Sequence, residues 1–231
     1  MSILRRDFLK FSVGITVANL TCATAAEADT KEFCKPKNPL QTLMDGNQRF
    51  SKAWIEATRN PDATLSQELH SNRCFNAPAA LIESQQPWAT VLTCADSRVS
   101  PSWIFDTTPG ELFVIRSAGN TAFDEAIASI EYSISILQSP LVMVMGHSSC
   151  GAVASALSDA SLTPSLERLV TPIRDQIGES LDLEEAVRRN ARATAIKIRQ
   201  RSDLLRQAET EGAVKLVVSY FSLKSGNVSL I

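Results

Sequence analysis

The chain has 231 residues, 44% of them hydrophobic, which is enough for one domain with a sizeable core. A formal net charge of -2, no basic block and 6% aromatic residues exclude the electrostatic footprint of a nucleic-acid binder. The sequence carries no internal repeat and no low-complexity run.

Leu4-Arg5-Arg6-Asp7-Phe8-Leu9-Lys10 places two adjacent arginines ahead of a moderately apolar run over residues 11–20, and Ala23-Thr24-Ala25 and Ala26-Glu27-Ala28 follow. Charged, then apolar, then cleavable is the order of a secretory signal. The paired arginines resemble the twin-arginine class of bacterial export signals. Residues 1–28 are therefore read as an export signal, cut after Ala25 or Ala28, and the mature protein is expected outside the cytoplasm, in a bacterial periplasm. The apolar run contains Ser12, Thr16 and Asn19 and is too short and polar to span a bilayer comfortably. Cleavage removes Cys22 and leaves Cys34, Cys74, Cys94 and Cys150. In an oxidising compartment Cys34 and Cys74 could pair, a closure worth roughly 4 kcal/mol in the chain-entropy model. The other possibility is two unpaired thiols.

Residues 29–37 read as a flexible tail, and residues 38–231 as a single domain. Asn38-Pro39 caps a helix carrying Leu40, Leu43, Met44 and Phe50 at near-helical spacing. Residues 65–84 predict a second helix broken at Asn76-Ala77-Pro78. Strands follow at 88–92, 112–116 and 141–145, with a short helical turn over 101–106 and a helix over about 122–137 between them. Further helices are predicted after Gly151, over 166–177 and, as one long element, over 183–207. The last carries charges on one face (Glu184, Glu185, Arg188, Arg189) and Val187, Ala191, Ala195 and Ile198 on another. Residues 213–221 predict a strand, and residues 228–231 its hairpin partner. Strands alternating with helices predict an α/β fold with a mostly parallel β-sheet flanked by helices.

Two motifs stand directly after strands. Thr93-Cys94-Ala95-Asp96-Ser97-Arg98 follows the first, and Gly146-His147-Ser148-Ser149-Cys150-Gly151 follows the third. The ends of parallel strands are where ligands collect in such sheets. Cys94, His147 and Cys150 supply two thiolates and an imidazole, a set suited to zinc. Histidine occurs only at His70 and His147, and only His147 lies beside a cysteine; His70 reads as a surface histidine. Asp96 either completes the tetrahedron or leaves the fourth position open, which separates a closed zinc site from a catalytic one.

The paired motifs resemble those of the β-class carbonic anhydrases, and the resemblance extends over Leu43 to Phe50, Gly110 to Asn120, Ser129-Ile130-Glu131-Tyr132 and the terminal strand and hairpin. It implies reversible hydration of carbon dioxide to bicarbonate by a zinc-bound hydroxide. It also implies one Zn(2+) per chain on Cys94, His147 and Cys150, and assembly as a homodimer or higher even homo-oligomer. Asp96 and Arg98 would be the catalytic aspartate–arginine pair. Arg98 would hold Asp96 off the metal, and Asp96 would become a fourth ligand only in a closed state. Gly151 would let a backbone amide approach the substrate. A relative acting on carbonyl sulfide or carbon disulfide, or a non-catalytic closed zinc protein, would carry the same ligands.

Overall fold

The computed structural model describes residues 33–60, 76–178 and 182–231. The export signal expected over 1–28, His70 and Cys74 lie outside the described residues. Cys34 is disulfide-bonded.

The apolar runs form one sheet in the order β2-β1-β3-β4-β5. β1 (Ala89–Cys94) lies parallel to β2 (Leu112–Ser117) on one side and to β3 (Leu141–His147) on the other. β4 (Lys215–Phe221) continues parallel to β3, and β5 (Val228–Leu230) folds back antiparallel on β4. This is the mostly parallel α/β sheet that the sequence predicts. β1 and β3 are buried along their whole length, as central strands of a covered parallel sheet are.

Strand alternation divides the core. Leu92, Val142, Val144 and Leu216 face one side, where α4 (Asp124–Ser135), α7 (Leu183–Arg201) and α8 (Asp203–Thr210) pack. Val91, Met143, Met145 and Val217 face the other, against Leu43 and Phe50 of α1 (Pro39–Arg59) and Ile104 of α3 (Pro101–Ile104). Each such side chain contributes about 1.5–3 kcal/mol on full burial. α2 (Pro78–Glu83), α5 (Gly151–Leu157) and α6 (Pro164–Ile177) complete the element list. Among the described residues no helix is long and apolar enough to cross a membrane.

The α1 start follows the sequence: Asn38 Oδ1 accepts from Gln41 N at 3.2 Å, with Pro39 in the first turn. The single helix expected over 183–207 is a departure. It breaks at Ser202, whose φ of -118° is extended and whose Oγ accepts from Leu205 N at 3.1 Å while donating to Glu131 Oε1 at 2.6 Å. Ser202 thereby caps a separate α8.

The strand order places a switch point between β1 and β3: the chain leaves β1 for β2 on one side, then crosses back from β2 to β3 on the other. Cys94 ends β1 and His147 ends β3, and these two strands are hydrogen-bonded neighbours. The hairpin beyond β4 supports the same end of the sheet. Asn47 of α1 donates to the carbonyls of Gly226 (2.9 Å) and Ile104 (3.2 Å) and accepts from Val228 N (2.7 Å). That fixes the turn from which Leu223 N donates to Ser148 Oγ at 2.9 Å.

Candidate metal centre

The ligand atoms of Cys94, His147 and Cys150 all lie within 4.8 Å of one another, and all three residues are buried. Cys94 is 5% exposed, His147 and Cys150 0%. The two sulfurs are 3.9 Å apart and share a proton. The hydrogen bond with Cys150 drives Cys94 well below the ordinary thiol range, with help from the Gly119 N–H; the same bond, then burial, pushes Cys150 up. A thiophilic divalent cation bound there would replace that shared proton and neutralise both sulfurs at once.

His147 supplies the test of fit. Its Nδ1 lies 2.9 Å from the carbonyl oxygen of Ser148, which can only accept, so Nδ1 carries the proton. Nε2 is left with a bare lone pair, fully buried and without a hydrogen-bond partner. An unpaired buried acceptor beside two thiols costs about 1–3 kcal/mol unless something binds it, and a metal ion held with the two sulfurs would do so. Ser148 is itself held on both sides: its N–H donates to Phe221 O at 2.9 Å, and its Oγ takes Leu223 N. The tautomer that frees Nε2 is therefore set by the hairpin after β4.

Cys150 stands at the N-cap of α5, and the backbone N–H groups of Ala152 and Val153 face its sulfur. The preceding Ser149 sits at φ 57°, a left-handed conformation rare for serine, which turns the chain sharply between His147 and Cys150. Gly151 opens α5, and a Cβ there would meet no atom within 4 Å, so the space before it is open.

Asp96 is not among the clustered ligands. Arg98 grips it in a fork, Nε to Oδ1 at 2.9 Å and Nη2 to Oδ2 at 2.7 Å, and the Arg98 N–H adds a third bond to Oδ1 at 2.9 Å. Arg98 Nη2 also reaches Ser149 O at 3.3 Å, tying the pair to the His147–Cys150 loop. The Arg98 side chain first, then its backbone amide, holds the Asp96 carboxyl well below the usual carboxylate range. Asp96 is thus an obligate acceptor at neutral pH. Its Oδ2 lies 3.9 Å from the bare Nε2 of His147, facing the ligand set without entering it.

The carbonic anhydrase family model matches residues 89–228, which span both motifs and the four parallel strands β1 to β4. A carbonic anhydrase of Mycolicibacterium smegmatis is 32% identical over 82% of this chain and 90% of its own length. The chain belongs to the carbonic anhydrase family and is an enzyme of that class. Carbonic anhydrase 2 of Mycobacterium tuberculosis is 29% identical over the same shares, 82% and 90%. Among solved structures, a tetrameric β-carbonic anhydrase of the ascomycete Sordaria macrospora superposes with a TM-score of 0.58 at 24% identity, covering 84% of this chain and 98% of that one. The fold is that of the β class.

Two residues of this enzyme's centre were not assigned a part from sequence. Arg116 on β2 clamps the loop after β1, donating to the carbonyls of Asp96 (2.7 Å), Val99 (2.9 Å) and Cys94 (3.3 Å). Gly119 N donates to the Cys94 sulfur at 3.3 Å. A single arginine in a strand carries no spacing signal. The Ala118-Gly119-Asn120 triplet does signal a tight turn, and the structure has a 3-10 turn there.

Proposed function

We propose that this enzyme interconverts carbon dioxide and bicarbonate at one zinc ion per chain, held by Cys94, His147 and Cys150. The observation that carries the reading is the buried, unpartnered Nε2 of His147 facing two sulfurs and an ionised Asp96. Thiolate and imidazole donors on adjacent strand ends match the preferences of zinc. Bound there, zinc supplies Lewis acidity that makes water a nucleophile near neutral pH.

The remaining work falls to the chain. Asp96 is ionised and cannot donate, so it accepts a hydrogen bond from a proton-bearing nucleophile and fixes its direction. Arg98 occupies both carboxylate oxygens and keeps Asp96 from joining the ligands. The open space before Gly151 admits a small substrate to the head of α5. The buried ligand set excludes competing water from the sulfurs and the imidazole.

Assembly as an even homo-oligomer follows the same reading. β2 is one of the sheet's two edge strands, and Val114 on it, with Phe123, Tyr132 and Ile136 in the segment that follows, leaves apolar side chains exposed. The Arg5-Arg6 segment supports export to the periplasm. Retention of the precursor in the cytoplasm on replacing both arginines by lysine tests that part; unchanged export would overturn it.

The test of the activity is stopped-flow hydration of carbon dioxide by the zinc-loaded protein at neutral and mildly alkaline pH, with His147→Ala as control. Equal activity at both pH values, lost in the control, is the expected result. Activity only on the alkaline side would mean that Asp96 closes the site at neutral pH. Zinc bound without activity at either pH would overturn the reading.

A further inference from the structure

The inner face of α7 is apolar: Val187, Ala191, Ala195 and Ile198 are buried against the sheet. Asn190 interrupts it. The side chain is fully buried, yet only its donor end is used: Nδ2 donates to Gly119 O at 2.7 Å, while Oδ1 has no partner. A buried amide satisfied at one end destabilises the fold relative to an apolar residue of similar size. Asn190 therefore sits where the fold by itself gains little from it.

The bond it does make ends at the metal centre. Gly119 lies at φ 69°, where glycine is free to sit but equally free to leave, since it populates both signs of φ. Holding its carbonyl selects one backbone conformation. In that conformation the Gly119 N–H points at the Cys94 sulfur, 3.3 Å away. Asn190, Gly119 and Cys94 thus form a relay from α7 across the 3-10 turn to the end of β1. Ile173 and Ala152 close the other side of Gly119, their nearest carbons 2.6 and 3.2 Å from where its Cβ would be.

We propose that Asn190 is a positioning residue of the metal centre, holding Gly119 so that its amide donates to the Cys94 sulfur. The inference rests on Cys94 being a metal ligand, as set out above. An N–H donor on a ligating thiolate withdraws charge from the sulfur, sharpens its direction and slows exchange of the metal. Asn190 touches neither substrate nor metal.

The experiment uses the cobalt(II)-substituted protein, whose sulfur-to-cobalt charge-transfer band reports the donor strength of the thiolates directly. Asn190→Ala removes the clamp. Asn190→Leu keeps the size, loses the donor and, being apolar on the buried face of α7, guards against a variant that fails to fold. The expected result in either is a charge-transfer band at longer wavelength, with the tetrahedral d–d bands retained, and about 10-fold faster cobalt loss to a chelator. A lowered thermal midpoint with an unmoved band and wild-type chelation kinetics would show a purely structural residue and overturn the proposal. Wild-type protein lacking a sulfur-to-cobalt band would overturn the ligand assignment itself, and the proposal with it; the two failures are read from different samples.

Discussion

Gly119→Ala is the substitution whose cost the structure specifies best. The added Cβ would lie 2.6 Å from Ile173 Cδ1 and 3.2 Å from Ala152 Cβ. Ile173 is fully buried, so its terminal carbon has little room to swing aside, and an alanine Cβ has no rotamer to change. Holding a non-glycine residue in the left-handed region costs roughly 1–2 kcal/mol, and overpacking a dense core about 1–3 kcal/mol. Together these give a loss of about 2–5 kcal/mol, a large share of the 5–15 kcal/mol typical of a folded domain. Urea unfolding at fixed protein concentration measures it, since association would otherwise shift the midpoint. Adding Ile173→Val to the variant removes the offending methyl, and about 1–2 kcal/mol should return as a positive coupling in the double-mutant cycle. The backbone part should not return. A loss below about 1 kcal/mol for Gly119→Ala, or no recovery with Ile173→Val, would refute the steric account of this turn.

Arg98→Ala should lower carbon dioxide hydration by about 10- to 100-fold in a stopped-flow assay, the usual cost of losing a residue that orients a centre. Arg98→Lys should not restore it, because an ammonium cannot make the fork seen on Asp96; full activity in the lysine variant would contradict the assigned role. Cys150→Ser and His147→Ala should each lose zinc on dialysis, read by metal analysis, and both should still give a cooperative unfolding transition. Glu209 offers a pH test away from the site. Arg199 holds its carboxyl below the ordinary range through two 2.8 Å bonds linking α7 to α8. A depressed carboxylate contributes stability that is present above its unfolded pKa, about 4.3, and is lost as pH falls through the folded value. The pair is partly exposed, so Glu209→Gln should cost only about 0.5–1 kcal/mol at neutral pH, and the gap to wild type in urea midpoints should vanish in acid. A gap that persists undiminished in acid would place the cost in packing.

The clustering of Cys94, His147 and Cys150 was legible because metal binding asks for few residue types. Cys94 and the His147–Cys150 pair each follow an apolar run, and two such runs in parallel bring their ends together. The strands were legible for a related reason. Val91, Leu92, Met143 and Val144 are apolar without interruption, as strands covered on both faces must be. The break at Ser202 was hidden because Leu204 and Leu205 keep the helical period running past it; the serine's cap on Leu205 N is joined by a bond to Glu131, 71 residues away, which no local pattern shows. Asn190 was hidden more thoroughly, because it lies on a helix whose charged and apolar faces account for its neighbours. Any amide can hold a carbonyl, and any carbonyl can orient an imidazole, so the groups that support a metal centre carry no compositional signature. Which of them are used is decided when α7 and the β4–β5 hairpin pack onto the ends of β1 and β3. It follows that moving a ligand should abolish metal binding outright, whereas moving Asn190 or Ser148 should leave the metal in place and change how tightly and in what direction it is held.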